Sequence, residues 1–160
     1  MIKEMQVVGI TIDPGTQSPI VILRDLENRN ILPIWIGILE ANAIAVGLEK
    51  VKLPRPMTHD LFKNVMDQLG VRLKKIEITD IKENTYYAVL HLETGGKTLT
   101  IDSRPSDALA IAIRLGAPIL VHESVIEKAV RVEAEGGQDK DKWTELLEKM
   151  DPEDFSKYKM

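Results

Sequence analysis

The sequence predicts an α+β fold: a duplicated strand-strand-strand-helix unit whose mixed or antiparallel sheets pack on buried, alanine-rich helices. Three observations predict it. Residues 19–48 align with 86–115 without a gap, and eight of the 30 pairs are identical, where average composition would give roughly two. Each half carries three apolar or alternating runs separated by turn residues, the pattern of strands. Each half then ends in an alanine-rich helix, apolar almost all round. A surface helix keeps one polar face, so these two are expected to be buried against the sheet and against a second layer. That second layer is either the other repeat or another subunit, and a homodimer is expected.

Taken in order, Met5–Asp13 reads as a strand closed by the Pro14-Gly15 turn. Pro19–Asp25 follows, then a turn at Glu27-Asn28-Arg29-Asn30, the strand Ile31–Ile36 and the helix Ile38–Lys50. Prolines 54 and 56 keep the next stretch extended. Thr58 is then expected to cap a linking helix, 58–69, stopped by Gly70, with Leu61, Phe62, Val65, Met66 and Leu69 as its apolar stripe. The second repeat supplies strands Arg72–Asp80, Thr85–Glu93 and Lys97–Asp102, with Gly95-Gly96 as a hairpin turn. Its helix, Arg104–Leu115, is stopped by Gly116 with Pro118 beyond. A short strand Pro118–Val121 and a helix near Glu123–Val130 complete one duplicated domain over residues 1–132, with repeats at about 5–50 and 71–116. Residues 133–160 read as an acidic extension. Gly136-Gly137-Gln138 is a linker, and Trp143, Leu146, Leu147 and Met150 line one side of a helix at 139–150 that suits a partner contact or weak docking. The residues after it are expected to be mobile.

Charge and composition exclude several classes. The chain has 44% hydrophobic and 29% charged residues, as a globular protein does. Its net charge of −4 lies entirely in residues 133–160, so residues 1–132 carry equal numbers of acids and bases. Proteins that live on a nucleic-acid backbone usually show a basic surplus, and none is visible in bulk. No cysteine is present, which removes disulfides, thiolate zinc sites and cysteine nucleophiles. There is no apolar run of membrane-spanning length, and the first residues show no signal region, so a cytoplasmic location without a membrane partner is expected. Glycine-rich phosphate loops, nucleophile elbows and His-Glu-x-x-His are all absent. With two Trp, three Tyr and two Phe, serial base stacking along a single strand is not expected.

The chemistry concentrates at three helix starts. Asp102-Ser103-Arg104-Pro105-Ser106-Asp107 puts two carboxylates, two hydroxyls and a guanidinium between a strand and a helix. Capping needs less: Ser103 alone suits an N-cap, and Pro105 fits the first turn. Glu40 falls on Asp107 in the internal alignment, and Thr58-His59-Asp60 opens the linking helix. Carboxylates so gathered suit Mg²⁺ or Mn²⁺, with Glu40, Asp60, Asp102 and Asp107 as ligands. Arg104 and Arg55, with Thr58 and Ser106, suit phosphate binding, and His59 suits proton transfer. The plainer alternatives are Asp60 favouring a helix dipole, an unremarkable exposed His59, and Arg104 paired with Glu40 or Asp107 as a structural network.

Leu32-Pro33-Ile34-Trp35-Ile36-Gly37 with Glu40-Ala41, then Arg55 to Leu61, then Asp102 to Ala108, resembles the bifunctional nuclease domain family over roughly residues 2–130. The resemblance implies an α+β fold and, for some plant members, degradation of both DNA and RNA. It hands over no catalytic assignment. Glu40, Arg55, Thr58, His59, Asp60, Asp102, Arg104, Ser106 and Asp107 are therefore candidates on their chemistry. The expected function is a nuclease of low sequence specificity with nucleic acid as substrate, with Asp102 and Asp107 among its catalytic acids beside His59 and Asp60. The alternative is a non-catalytic dimeric module that binds a small anionic ligand or a protein partner.

Overall fold

The computed structural model describes residues 1–135, and side chains as far as residue 129. The extension at 139–150 therefore lies outside the described residues. Seven strands form one mixed sheet: β1 (Ile2–Ile12), β2 (Pro19–Asp25), β3 (Ile31–Trp35), β4 (Arg72–Lys82), β5 (Thr85–Thr94), β6 (Lys97–Ser103) and β7 (Ile119–His122). Four helices accompany it: α1 (Ile38–Leu48), α2 (Thr58–Leu69), α3 (Pro105–Leu115) and α4 (Glu123–Glu135). The strand order is β3-β2-β1-β7-β4-β5-β6. Two antiparallel meanders thus flank β7, which runs antiparallel to β1 and parallel to β4. The meanders consequently run in opposite senses, and their closing helices α1 and α3 lie against each other. This is an α+β fold.

Local chemistry explains the turns. Gly95 and Gly96 both take positive φ, as the two-residue turn between β5 and β6 requires. Leu23, Val21, Ile76, Ile78, Leu109 and Val121 are fully buried and join the core between sheet and helices. Ala108, Ala110 and Ala112 on α3 and Ala41 and Ala43 on α1 are buried small residues, which lets the two helix backbones come close. The second layer over each repeat helix is thus the other repeat, within one chain. The apolar-all-round pattern that prompted a homodimer is met internally for α3.

Four expectations need correcting. In α1, only Ala41, Ala43 and Ile44 are buried, and Ile38 and Leu39 in its first turn face outward. In α2, Met66 is buried, but Leu61, Phe62, Val65 and Leu69 remain exposed, because α2 packs chiefly on α3. Thr58 does not cap α2. The N-cap is Met57, whose backbone N–H donates to Asp60 Oδ2 at 3.0 Å. Likewise Arg104, not Ser103, is the N-cap of α3; Ser103 Oγ donates instead to the Arg104 carbonyl. Among the described residues no helix is long and apolar enough to cross a membrane.

Candidate active site

Because α1 and α2 both pack on α3, their starts are drawn toward the start of α3. The N-caps are Gly37 and Arg104 in the two repeats, and each is followed three residues later by an acid, Glu40 and Asp107. Pro105 occupies the first turn of α3, where a missing N–H costs nothing. Arg104 joins the two acids. Its Nε and Nη2 fork onto Asp107 Oδ2 and Oδ1 at 2.9 and 3.2 Å, and its Nη1 reaches Glu40 Oε1 at 3.0 Å. On the other side of Asp107, His59 Nε2 stands 2.9 Å from Oδ1. The result is a continuous chain, His59–Asp107–Arg104–Glu40, contributed by the starts of three helices.

Hydrogen bonding sets the charge state of Asp107 and Arg104. Burial pushes the Asp107 carboxyl up, but hydrogen bonds from Arg104 and His59 outweigh it and hold the group below the usual carboxylate range. Asp107 is therefore an acceptor only, and His59 must donate from Nε2. In a neutral imidazole the lone pair then falls on Nδ1, as in a histidine oriented for base work by an acid behind it. The same contacts push the Arg104 guanidinium above its ordinary value, through Asp107 first and Glu40 second. The Arg104 side chain is 63% exposed, so its charge meets solvent.

Asp60 belongs to a different pair. Its Oδ1 accepts from Arg114 Nε at 2.7 Å while Oδ2 takes the Met57 N–H. Burial raises its pKa, but the Arg114 and Met57 hydrogen bonds win and lower it. Arg114 is only 5% exposed, bonds the Ala110 carbonyl through Nη1, and leaves Nη2 buried without a partner. Gly47 makes room for it: a Cβ there would stand 2.9 Å from Arg114 Nη1.

Of the residues expected from the sequence, the structure brings together Glu40, His59, Arg104 and Asp107, with Asp60 beside them on Arg114. Ser106 is buried and lines the adjoining cleft. Asp102 stands exposed on the edge strand β6, Arg55 is exposed in the stretch before α2, and Thr58 is exposed at the start of α2. None of these three bonds to the chain. Glu40, Asp60, Asp102 and Asp107 do not surround one point, and among the described residues no group of three or more acids, histidines or cysteines is placed to hold an ion. A guanidinium sits where a cation would have to go, so the donors present do not fit a metal.

Sequence reasoning missed Arg114, the one basic residue in α3. Its counterpart at the 67-residue offset is Gly47, and that broken repeat pair was the available signal. It also missed Trp35 and Tyr86, which lie 51 positions apart and meet at one cleft of about 280 Å³ beside Glu40 and Arg104.

The fold and site define a class: an α+β domain with a histidine–carboxylate pair beside an exposed arginine. Residues 21–133 match the Bifunctional nuclease domain family, and the chain belongs to that family. It is 37% identical over 162 residues to an "uncharacterized protein" of Mycobacterium tuberculosis, covering 95% of this chain and 97% of that one. It is 30% identical over 121 residues to Bifunctional nuclease 2 of Oryza sativa subsp. japonica, and 28% over 109 residues to Bifunctional nuclease 2 of Arabidopsis thaliana. Those matches cover 73% and 66% of this chain but only 37% and 33% of the plant proteins.

Proposed function

We propose that this protein hydrolyses phosphodiester bonds in DNA and RNA with little sequence preference, using the His59–Asp107 pair as its acid–base device and Arg104 as its phosphate grip. The chain His59–Asp107–Arg104–Glu40 carries the reading; family membership and the names of the plant relatives support it. An incoming phosphate takes over Arg104 Nη1 from Glu40, while the fork on Asp107 keeps the guanidinium in place. His59 Nδ1 removes a proton from a water as the water oxygen bonds to phosphorus. The bond to the leaving sugar oxygen breaks, and that oxygen is protonated from solvent at the exposed side of Arg104. Charge on the phosphoryl oxygens is met by Arg104 and by the positive ends of α1 and α3. No step is routed through a metal ion, because the Arg104 guanidinium stands between Glu40 and Asp107.

Cleavage of end-labelled DNA and RNA oligonucleotides tests this. His59→Gln and Arg104→Lys are expected to slow cleavage by about 10²- to 10⁴-fold, the usual range for losing an acid–base group. Chelation with EDTA is expected to leave the rate unchanged. Unimpaired cleavage by His59→Gln removes the acid–base assignment, and abolition by EDTA removes the metal-free account.

A further inference from the structure

The cleft beside Arg104 is built from both meanders. Trp35 closes β3 on one wall, Asn84 and Tyr86 come from the turn and start of β5 on the other, and Arg104 and Ser106 form the end next to the catalytic chain. Both aromatic rings are fixed by their polar tips. Trp35 Nε1–H donates to Asp13 Oδ2 at 2.9 Å, and Asp13 is itself buried. Tyr86 Oη–H donates to the Pro33 carbonyl at 3.3 Å. Trp35 nevertheless keeps 36% of its surface exposed. A large apolar ring held rigidly at the mouth of a cleft, with a cation at the far end, is an arrangement that core packing does not require.

We propose that this cleft is a nucleotide subsite in which a nucleobase stacks on the Trp35 ring while its phosphate reaches Arg104. The inference rests on the nuclease reading for what happens next, but not for binding itself. The volume of about 280 Å³ is at the lower end for small-molecule clefts, roughly 300–1,000 Å³, so it holds one nucleotide unit and not two. Every base offers a π face, and stacking is indifferent to which base it is. The Asn84 amide and Ser106 hydroxyl offer both donors and acceptors to a base edge or sugar hydroxyl, so neither deoxyribose nor ribose is excluded. A single stacking platform beside the phosphate grip is thus consistent with cleavage of both nucleic acids at little sequence cost. It needs no row of aromatics and no basic surplus, and residues 1–132 carry equal numbers of acids and bases.

The test uses the full chain with Trp143→Phe, which leaves Trp35 as the one indole. Adenosine 5′-monophosphate is expected to change its fluorescence saturably, and ribose 5-phosphate, which lacks the base, to leave it nearly unchanged. Trp35→Leu is expected to raise KM for an oligonucleotide about tenfold with kcat retained, in line with the loss of one stacked base. Trp35→Phe, which keeps a ring and gives up the bond to Asp13, should restore most of that affinity. No fluorescence change with the nucleotide, or an equal change with both probes, overturns the subsite. Cleavage that persists with an unchanged KM in Trp35→Leu also removes the subsite while sparing the nuclease reading. Saturable nucleotide binding without any cleavage does the reverse. Should Trp35→Leu fail to fold, the fluorescence comparison decides alone.

Discussion

Arg104 and Arg114 each pair with an aspartate, and exposure sets them apart. Arg104 is well exposed, so water already screens its bonds to Asp107 and Glu40, and pairs of that kind contribute about 0–1 kcal/mol. Arg114 is almost wholly enclosed, and deleting it strands the part-buried Asp60 and empties the space beneath Gly47. Losing one partner of an enclosed pair typically costs about 3–5 kcal/mol, toward the lower end here because Asp60 keeps some water contact. Urea denaturation is therefore expected to show Arg104→Ala within about 1 kcal/mol of the parent and Arg114→Ala lower by roughly 3 kcal/mol. A large loss in Arg104→Ala would make the site a strut between the repeats, with Arg104 having no reason to face solvent.

At the start of α1 the controlling position is Gly37. Its φ of −78° suits any residue, so alanine adds no backbone strain. Its Cβ would, however, collide with Glu40 Oε2, and the flexible carboxylate must swing away from Arg104. Gly37→Ala is thus expected to leave folding stability nearly unchanged and to alter KM in the same direction and by the same factor as Glu40→Gln. In the double variant the two effects should not add, because each removes the same bond. Additive effects would show that Gly37 acts on something other than Glu40. The elements themselves were legible. The edges of β2 and the bounds of α2 were readable from apolar runs and from Pro and Gly punctuation, since those signals are local. The helix caps were not, because the Asp60 carboxylate takes the Met57 N–H where Thr58 could have capped, and α3 starts on Arg104 and Pro105 with no side-chain cap bond. The site was half legible. Residue type pointed to Glu40, His59, Arg104 and Asp107. Which acid would take which guanidinium depended on the packing of α1 and α2 against α3, and no sequence spacing encodes that. Asp102 illustrates the limit: one residue from Ser103 in sequence, its side chain stands on the exposed edge strand, away from the helix start.

Over the whole molecule, depressed carboxylates sit at the joints. Asp60 with Arg114 ties α2 to α3, and Asp107 with Arg104 and Glu40 ties α3 to α1. Glu77 joins β4 to β7, the strand that links the two meanders, through His122 at 3.0 Å. That bond and Lys75 keep its carboxyl below the ordinary value despite burial. Asp13 anchors Trp35 and is lowered by that bond and by the Gly15 N–H. For Asp60, Asp107, Glu77 and Asp13 the folded carboxyl binds its proton less readily than the unfolded one, so the unfolded state holds more protons in the window below the ordinary values of 3.8 for Asp and 4.5 for Glu. Stability from these groups is complete above that window and is lost as pH falls through the depressed folded values. The melting temperature is therefore expected to fall steeply below about pH 4, as these joints are protonated. Asp60→Asn separates this from general acid swelling. The amide still accepts the Met57 N–H but cannot titrate, so the variant starts less stable at neutral pH and loses less on acidification. Its acid limb should be shallower by at most about 1.4 kcal/mol per pH unit, the slope of one proton. Parallel acid limbs in the parent and in Asp60→Asn would mean that the α2–α3 joint does not govern acid stability, and that the loss begins at the sheet, where Glu77 and Asp13 sit.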